Sequence, residues 1–110
     1  AHGAALVATV LSSELLRKEW LAELDSMRGR MNSLRSLLVQ RLATLGAKND
    51  FSFIEKQFGM FSLLGFNAEQ VQRLRNEFSI YMTGNSRINI AGINQKNVDY
   101  LAEAIIKVIP

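Results

Sequence analysis

Few side chains in this sequence could make or break a bond. It contains no cysteine and a single histidine, so thiolate nucleophiles, disulfides and cysteine metal sites are excluded. No glycine-rich phosphate loop stands between a strand and a helix, and no catalytic constellation is complete. A lone histidine more often fills a structural hydrogen-bonding role than a chemical one, and no function is assigned to His2. Lys18, Lys48, Lys56, Lys96 and Lys107 occupy polar faces or turns, where solvated ammonium groups are expected. Arg87 has the most distinctive setting, because it follows the turn Thr83-Gly84-Asn85-Ser86 and opens the alternating run Arg87-Ile88-Asn89-Ile90-Ala91. A guanidinium there could grip a carboxylate through two parallel hydrogen bonds. Taken alone, an arginine at a strand end is more often a solvated edge residue.

The elements that would carry Arg87 follow from periodicity. Ser12-Ser13 makes an N-cap pair ahead of a long helix over about 13–45, with Leu16, Trp20, Leu24, Met27, Met31, Leu34, Leu38, Leu42 and Leu45 at three- and four-residue steps. Its acids, Glu14, Glu19, Glu23 and Asp25, come early and Arg28, Arg30, Arg35 and Arg41 come late, which complements the helix macrodipole. Gly46 supplies the C-cap. Such a helix is roughly 50 Å long, more than so small a domain can cover, so it is expected to bridge two domains. Asn32, Ser33, Ser36 and Gly29 argue against a coiled coil. Upstream, residues 1–11 read as a buried helix, with no positive n-region and too few residues to span a bilayer. That abrupt apolar opening without a Met suggests a chain beginning inside a larger protein.

Downstream, Phe51-Ser52-Phe53-Ile54 alternates like a strand, and Met60-Phe61-Ser62-Leu63-Leu64 is a second apolar run between Gly59 and Gly65. Asn67-Ala68-Glu69-Gln70 is a capping-box pattern before a helix over 68–78. Ser79-Ile80-Tyr81-Met82 reads as a strand adjacent to the one Arg87 opens, and Asn94 caps a helix over about 95–109. Helices on a small sheet give an α/β or α+β class: a long bridging helix, then a small sheet packed with two further helices. At 110 residues, with 48% hydrophobic and 21% charged, the composition is that of a folded soluble chain with one small domain or part of one. The 13 basic and 10 acidic residues are interspersed and sum to +3, without the basic tract of a nucleic-acid binder.

Gly59-Met60-Phe61-Ser62, Glu69-Gln70-Val71-Gln72-Arg73-Leu74-Arg75, Ile80-Tyr81-Met82 and Arg87-Ile88-Asn89-Ile90-Ala91-Gly92 occur in the order and approximate spacing of the class I aspartate and aromatic aminotransferases. Ala1-His2-Gly3-Ala4 and Phe51-Ser52-Phe53-Ile54 also look like their counterparts there, so the chain resembles that family throughout. The resemblance implies the C-terminal portion of a pyridoxal-phosphate-dependent transferase of fold type I. It implies that Arg87 binds the substrate α-carboxylate and that Phe61 lies near the substrate, on a small domain that moves when a dicarboxylic substrate binds. Ser86 departs from the pattern, since the family places a glycine before the arginine, and a backbone angle that serine dislikes would disturb the loop.

In the family, the lysine that holds the cofactor, the aspartate at its ring nitrogen and the phosphate-binding groups lie upstream. The resemblance therefore implies no catalytic, cofactor-binding or metal-binding residue in this segment, and the isolated chain is expected to be inactive. The expected organisation is the end of a large-domain helical region at 1–12, a long interdomain helix at 13–46 and a small domain at 47–110. Expected partners are amino acid and 2-oxo acid substrates, aspartate or an aromatic amino acid with 2-oxoglutarate, and a second copy in a cytoplasmic homodimer, with no nucleic acid and no membrane. A competing reading is a non-enzymatic helical interaction module that uses the 13–45 stripe and needs no arginine site. A related cofactor enzyme with a different reaction is a third.

Overall fold

The computed structural model describes residues 2–110, with side chains from Ser12 onward. The expected burial of 1–11 and the side chain of His2 lie outside the described residues. Helix α1 (His2–Thr44) runs without a break through Ser12 and Ser13, so these serines are interior helix residues and not the expected N-cap. Serine inside a helix costs only a fraction of a kcal/mol relative to alanine, roughly 0.5, too little to stop a ladder that apolar residues continue on both sides. The chain divides into two compact units, residues 1–30 and residues 31–110.

Within the first unit, Leu15, Leu16, Trp20, Leu21 and Met27 are exposed, Trp20 to 59%, and Asp25 pairs with Arg28 one turn on, at 3.3 Å. The second unit starts with the inner face of α1, where Met31, Arg35, Leu38 and Leu42 are buried at helical spacing. A Schellman cap ends the helix as expected at Gly46 (φ 95°), with the Ala47 N–H donating to Leu42 O and the Gly46 N–H to Ala43 O.

The expected strand at Phe51-Ser52-Phe53-Ile54 is instead part of a turn and a 3-10 helix, Ser52–Lys56. The Asp50 carboxylate accepts from the Ser52 N–H and starts the coil. Phe51 and Ile54 are then buried three residues apart, while Phe53 is partly exposed, a period of three where alternation would have paired Phe51 with Phe53. Among the described residues the sheet has two strands, β1 (Phe61–Leu63) and β2 (Arg87–Asn89), antiparallel, with Phe61 opposite Asn89, Ser62 opposite Ile88 and Leu63 opposite Arg87.

Helix α2 (Ala68–Phe78) starts at the expected capping box, Asn67 Oδ1 accepting from Gln70 N and Gln70 Oε1 from Asn67 N. It ends at Ser79, in the left-handed region at φ 56°, where the Ile80 N–H donates to Leu74 O. Spending that amide on the helix end removes it from any ladder, and Ser79-Ile80-Tyr81-Met82 forms no strand, against expectation. β2 also stops early, because Asn89 Oδ1 accepts from the Ala91 N–H and turns Ile90–Gly92 into a 3-10 helix. Asn94 caps the following turn, accepting from Lys96 N and Asn97 N, and α3 (Val98–Val108) follows. One core gathers Leu38, Leu42, Ile54, Ile88, Ile90, Ala102 and Ile105, and a second packs Leu74 of α2 against Ala104 and Val108 of α3. The unit is thus a small, helix-rich α+β domain.

Candidate functional site

The two-stranded sheet turns an unusual face outward. Along β1 the apolar Phe61 and Leu63 are exposed, 45% and 48%, while Ser62 between them is buried; along β2 Arg87 and Asn89 are exposed and Ile88 is buried. Ordinary packing would place the polar residue out and the apolar ones in. Arg87 and Phe61, the two residues singled out in the sequence, share this outward face as diagonal neighbours across the strands. The Arg87 Cζ lies 4.5 Å from the centre of the Phe61 ring, within cation–π range. No protein group among the described residues hydrogen-bonds the Arg87 guanidinium, so its N–H edges are free to meet a ligand while the ring supports one face.

The turn before Arg87 holds the departure from the family pattern. Ser86 is fully buried and sits at φ 61°, the left-handed region in which a side chain costs about 1–2 kcal/mol. Its hydroxyl oxygen accepts from the Phe66 N–H at 3.1 Å, its own N–H donates to Thr83 O and its carbonyl accepts from Leu64 N. The hydrogen bond from Phe66 offsets much of the conformational cost, roughly 1 kcal/mol.

The sequence reading missed what holds β1 from behind. Arg35, grouped in the sequence with the late bases that complement the helix macrodipole, is completely buried. Its Nη1 donates to Ile54 O and to Ser62 Oγ, and its Nη2 donates to Gly59 O and Phe61 O. Burial lowers its pKa from the ordinary value. The signal was available: Arg35 falls four residues after Met31 and three before Leu38, in the middle of the apolar stripe. Gln57 clasps the next residue of the same edge, donating from Nε2 to Leu63 O and accepting from Leu63 N, both at 3.1 Å. These side chains stand where a further strand would pair.

The lysines are all exposed, and Lys107 rests over the Phe78 ring at 5.6 Å; none has the apolar surroundings that ready a lysine for attack on a carbonyl. Among the described residues, no group of His, Asp or Glu could hold a metal ion and no helix is long and apolar enough to cross a membrane. What this face offers is a guanidinium beside an aromatic ring, with the Leu63 side chain and the Asn89 amide exposed alongside.

An arginine without a protein hydrogen-bond partner among the described residues thus shares an exposed face with Phe61, Leu63 and Asn89, and the chain can be set beside known proteins. Residues 1–105 match the family described as aminotransferase class I and II. The chain is 54% identical over 108 residues to an aspartate aminotransferase of Haemophilus influenzae, covering 98% of this chain and 27% of that protein. It is 49% identical to an aromatic-amino-acid aminotransferase of Paracoccus denitrificans, over 97% of this chain and 27% of the relative. The structure superposes with a TM-score of 0.82 on an aromatic-amino-acid aminotransferase from Burkholderia pseudomallei covalently bound to pyridoxal phosphate, 47% identical, covering 100% of this chain and 28% of that one. This chain belongs to the class I and II aminotransferases, and it spans about a quarter of the length of the relatives it matches.

Proposed function

We propose that this chain is the C-terminal, substrate-carboxylate-binding part of a pyridoxal-phosphate-dependent aminotransferase that exchanges an amino group between aspartate, or an aromatic amino acid, and 2-oxoglutarate. The observation that carries the reading is the Arg87 guanidinium, stacked on Phe61 with no protein hydrogen-bond partner among the described residues. Two parallel N–H donors match a carboxylate in geometry and charge. Holding the α-carboxylate at two points fixes rotation about Cα and so selects which of its bonds faces the cofactor. Phe61 supports one face of the guanidinium and contributes apolar surface to the same outward face of the sheet.

The described residues do not by themselves fit pyridoxal phosphate, since among them no lysine is buried and no phosphate cradle accompanies Arg87. In this reading the cofactor is held by residues outside the chain, and this segment binds and orients substrate. The relatives include both aspartate and aromatic-amino-acid aminotransferases, so the reading keeps both substrate classes. The exposed apolar side chains of α1, Trp20 foremost, suit contact with other parts of a cytoplasmic homodimeric enzyme.

The test compares the full-length protein with this isolated chain, each supplied with pyridoxal phosphate, by visible absorption and by transamination of aspartate with 2-oxoglutarate. A cofactor band and turnover in the full-length protein, with neither in the isolated chain, is the expected outcome. Their absence from the full-length protein would sink the proposal.

A further inference from the structure

We infer that Arg35 is a positioning residue for the Arg87–Phe61 face, fixing the backbone of residues 59–62 and with it the ring on which Arg87 rests. The inference rests on the reading of Arg87 as the carboxylate-binding residue. Arg35 occupies an inner position of α1 between Met31 and Leu38, where an aliphatic side chain would pack without desolvating a charge. It has no ion-pair partner among the described residues, and its Nε is buried without a hydrogen-bond partner. A buried cation with only neutral acceptors is a poor source of stability, so its placement points to geometry.

That geometry is specific. Nη2 bridges Gly59 O at 2.6 Å and Phe61 O at 2.9 Å, while Nη1 reaches Ile54 O at 3.2 Å and the Ser62 hydroxyl. The planar fork thus binds a carbonyl two residues before Phe61, the carbonyl of Phe61 itself and the side chain after it. β1 is only three residues long, too short for its ladder to fix the strand alone. Gly59, at φ 84°, enters it through a turn with no side chain to anchor. A lysine offers one ammonium and no fork, and cannot span four acceptors in this arrangement.

The experiment uses the full-length protein labelled with [15N]arginine. The Arg87 Nε–Hε resonance, assigned by its loss in Arg87→Lys, should be shifted upfield by the Phe61 ring and return toward its ordinary position in Phe61→Leu. In Arg35→Lys the upfield shift should largely vanish. KM for the amino acid and Kd for succinate, a non-reacting dicarboxylate, should rise about tenfold while kcat stays near its original value, the effect of displacing a binding group by a fraction of an ångström. Retention of the shift and of succinate affinity, with only a lower melting temperature, would show that Arg35 serves stability alone and overturn the inference. If Arg35→Lys does not fold, Ser62→Ala removes one acceptor and should move the same resonance in the same direction; no movement there also overturns it. A full-length protein without transaminase activity would remove the reading of function, while the resonance would still decide whether Arg35 positions the stack.

Discussion

Two arginines on opposite sides of one short strand divide the roles a guanidinium can play. Arg35, behind β1, gives four N–H donors to protein acceptors. Arg87, in front of it, touches the Phe61 ring and gives its guanidinium donors to no protein group among the described residues. The same residue type is structural where its hydrogen bonds are consumed and available for binding where they are not. Exposure alone would have ranked them, but the inventory of partners explains the ranking.

Removing each arginine should therefore break different things. Arg87→Ala in the full-length protein is expected to lower kcat/KM by several orders of magnitude with little change in melting temperature, because none of the described residues relies on its guanidinium donors; near-normal turnover would sink its assignment. Arg35→Met should do the reverse in kind. It strands Ile54 O and Ser62 Oγ in the interior and leaves the part-buried Gly59 O and Phe61 O without their donor, and even with the relief of an unpaired buried charge the loss should be about 3 kcal/mol. A thermal midpoint within a degree or two of the original would mean that water or a backbone shift re-satisfies those acceptors.

The contrast also explains which parts of the molecule were legible in the sequence. Asn67-Ala68-Glu69-Gln70 and Gly46 were readable because capping depends on residues within one turn of each other. Phe51-Ser52-Phe53-Ile54 misled because four residues cannot separate a period of two from a period of three, and the Asp50 carboxylate, just outside the run, decided for the coil. Ser79-Ile80-Tyr81-Met82 misled because the end of α2 claimed its amide. The pairing of β1 with β2 joins segments some twenty-five residues apart, beyond any local signal. Arg87 and Phe61 were named from family motifs, while Arg35, a charge on an apolar stripe, was passed over as one of several late bases.

Ser86 sharpens the comparison at the front of the sheet, since it sets the strand entry of Arg87. Ser86→Ala keeps the left-handed strain and strips the Phe66 N–H of its acceptor, so it should cost roughly 1–2 kcal/mol. Ser86→Gly loses the same hydrogen bond but removes the strain, and should be more stable than the alanine variant by about 1 kcal/mol. Equal melting temperatures for the two variants would show that the φ of 61° costs nothing here. Away from the sheet, Asn67→Ala removes the oxygen that caps Gln70 N and should cost about 1 kcal/mol, with no effect on KM; a change in KM would tie α2 to the binding face.

The smallest expected effect lies at the start of the 3-10 helix whose carbonyl at Ile54 Arg35 grips. The Asp50 carboxylate is held below its ordinary pKa, chiefly by the Ser52 backbone N–H, then by the Ser52 hydroxyl and Lys56. A group whose folded pKa is depressed adds stability that is fully present above its unfolded pKa, about 3.9, and is lost as pH falls through the folded value. Asp50 is exposed to solvent, so this contribution is slight and confined to acid, and Asp50 should add no pH dependence to the melting temperature near neutral pH. A carboxyl-carbon NMR titration would place the Asp50 midpoint below that of a free aspartate. An ordinary midpoint would mean that the Ser52 turn opens in solution, and that the hold of Arg35 on Ile54 does not depend on Asp50 to start the coil.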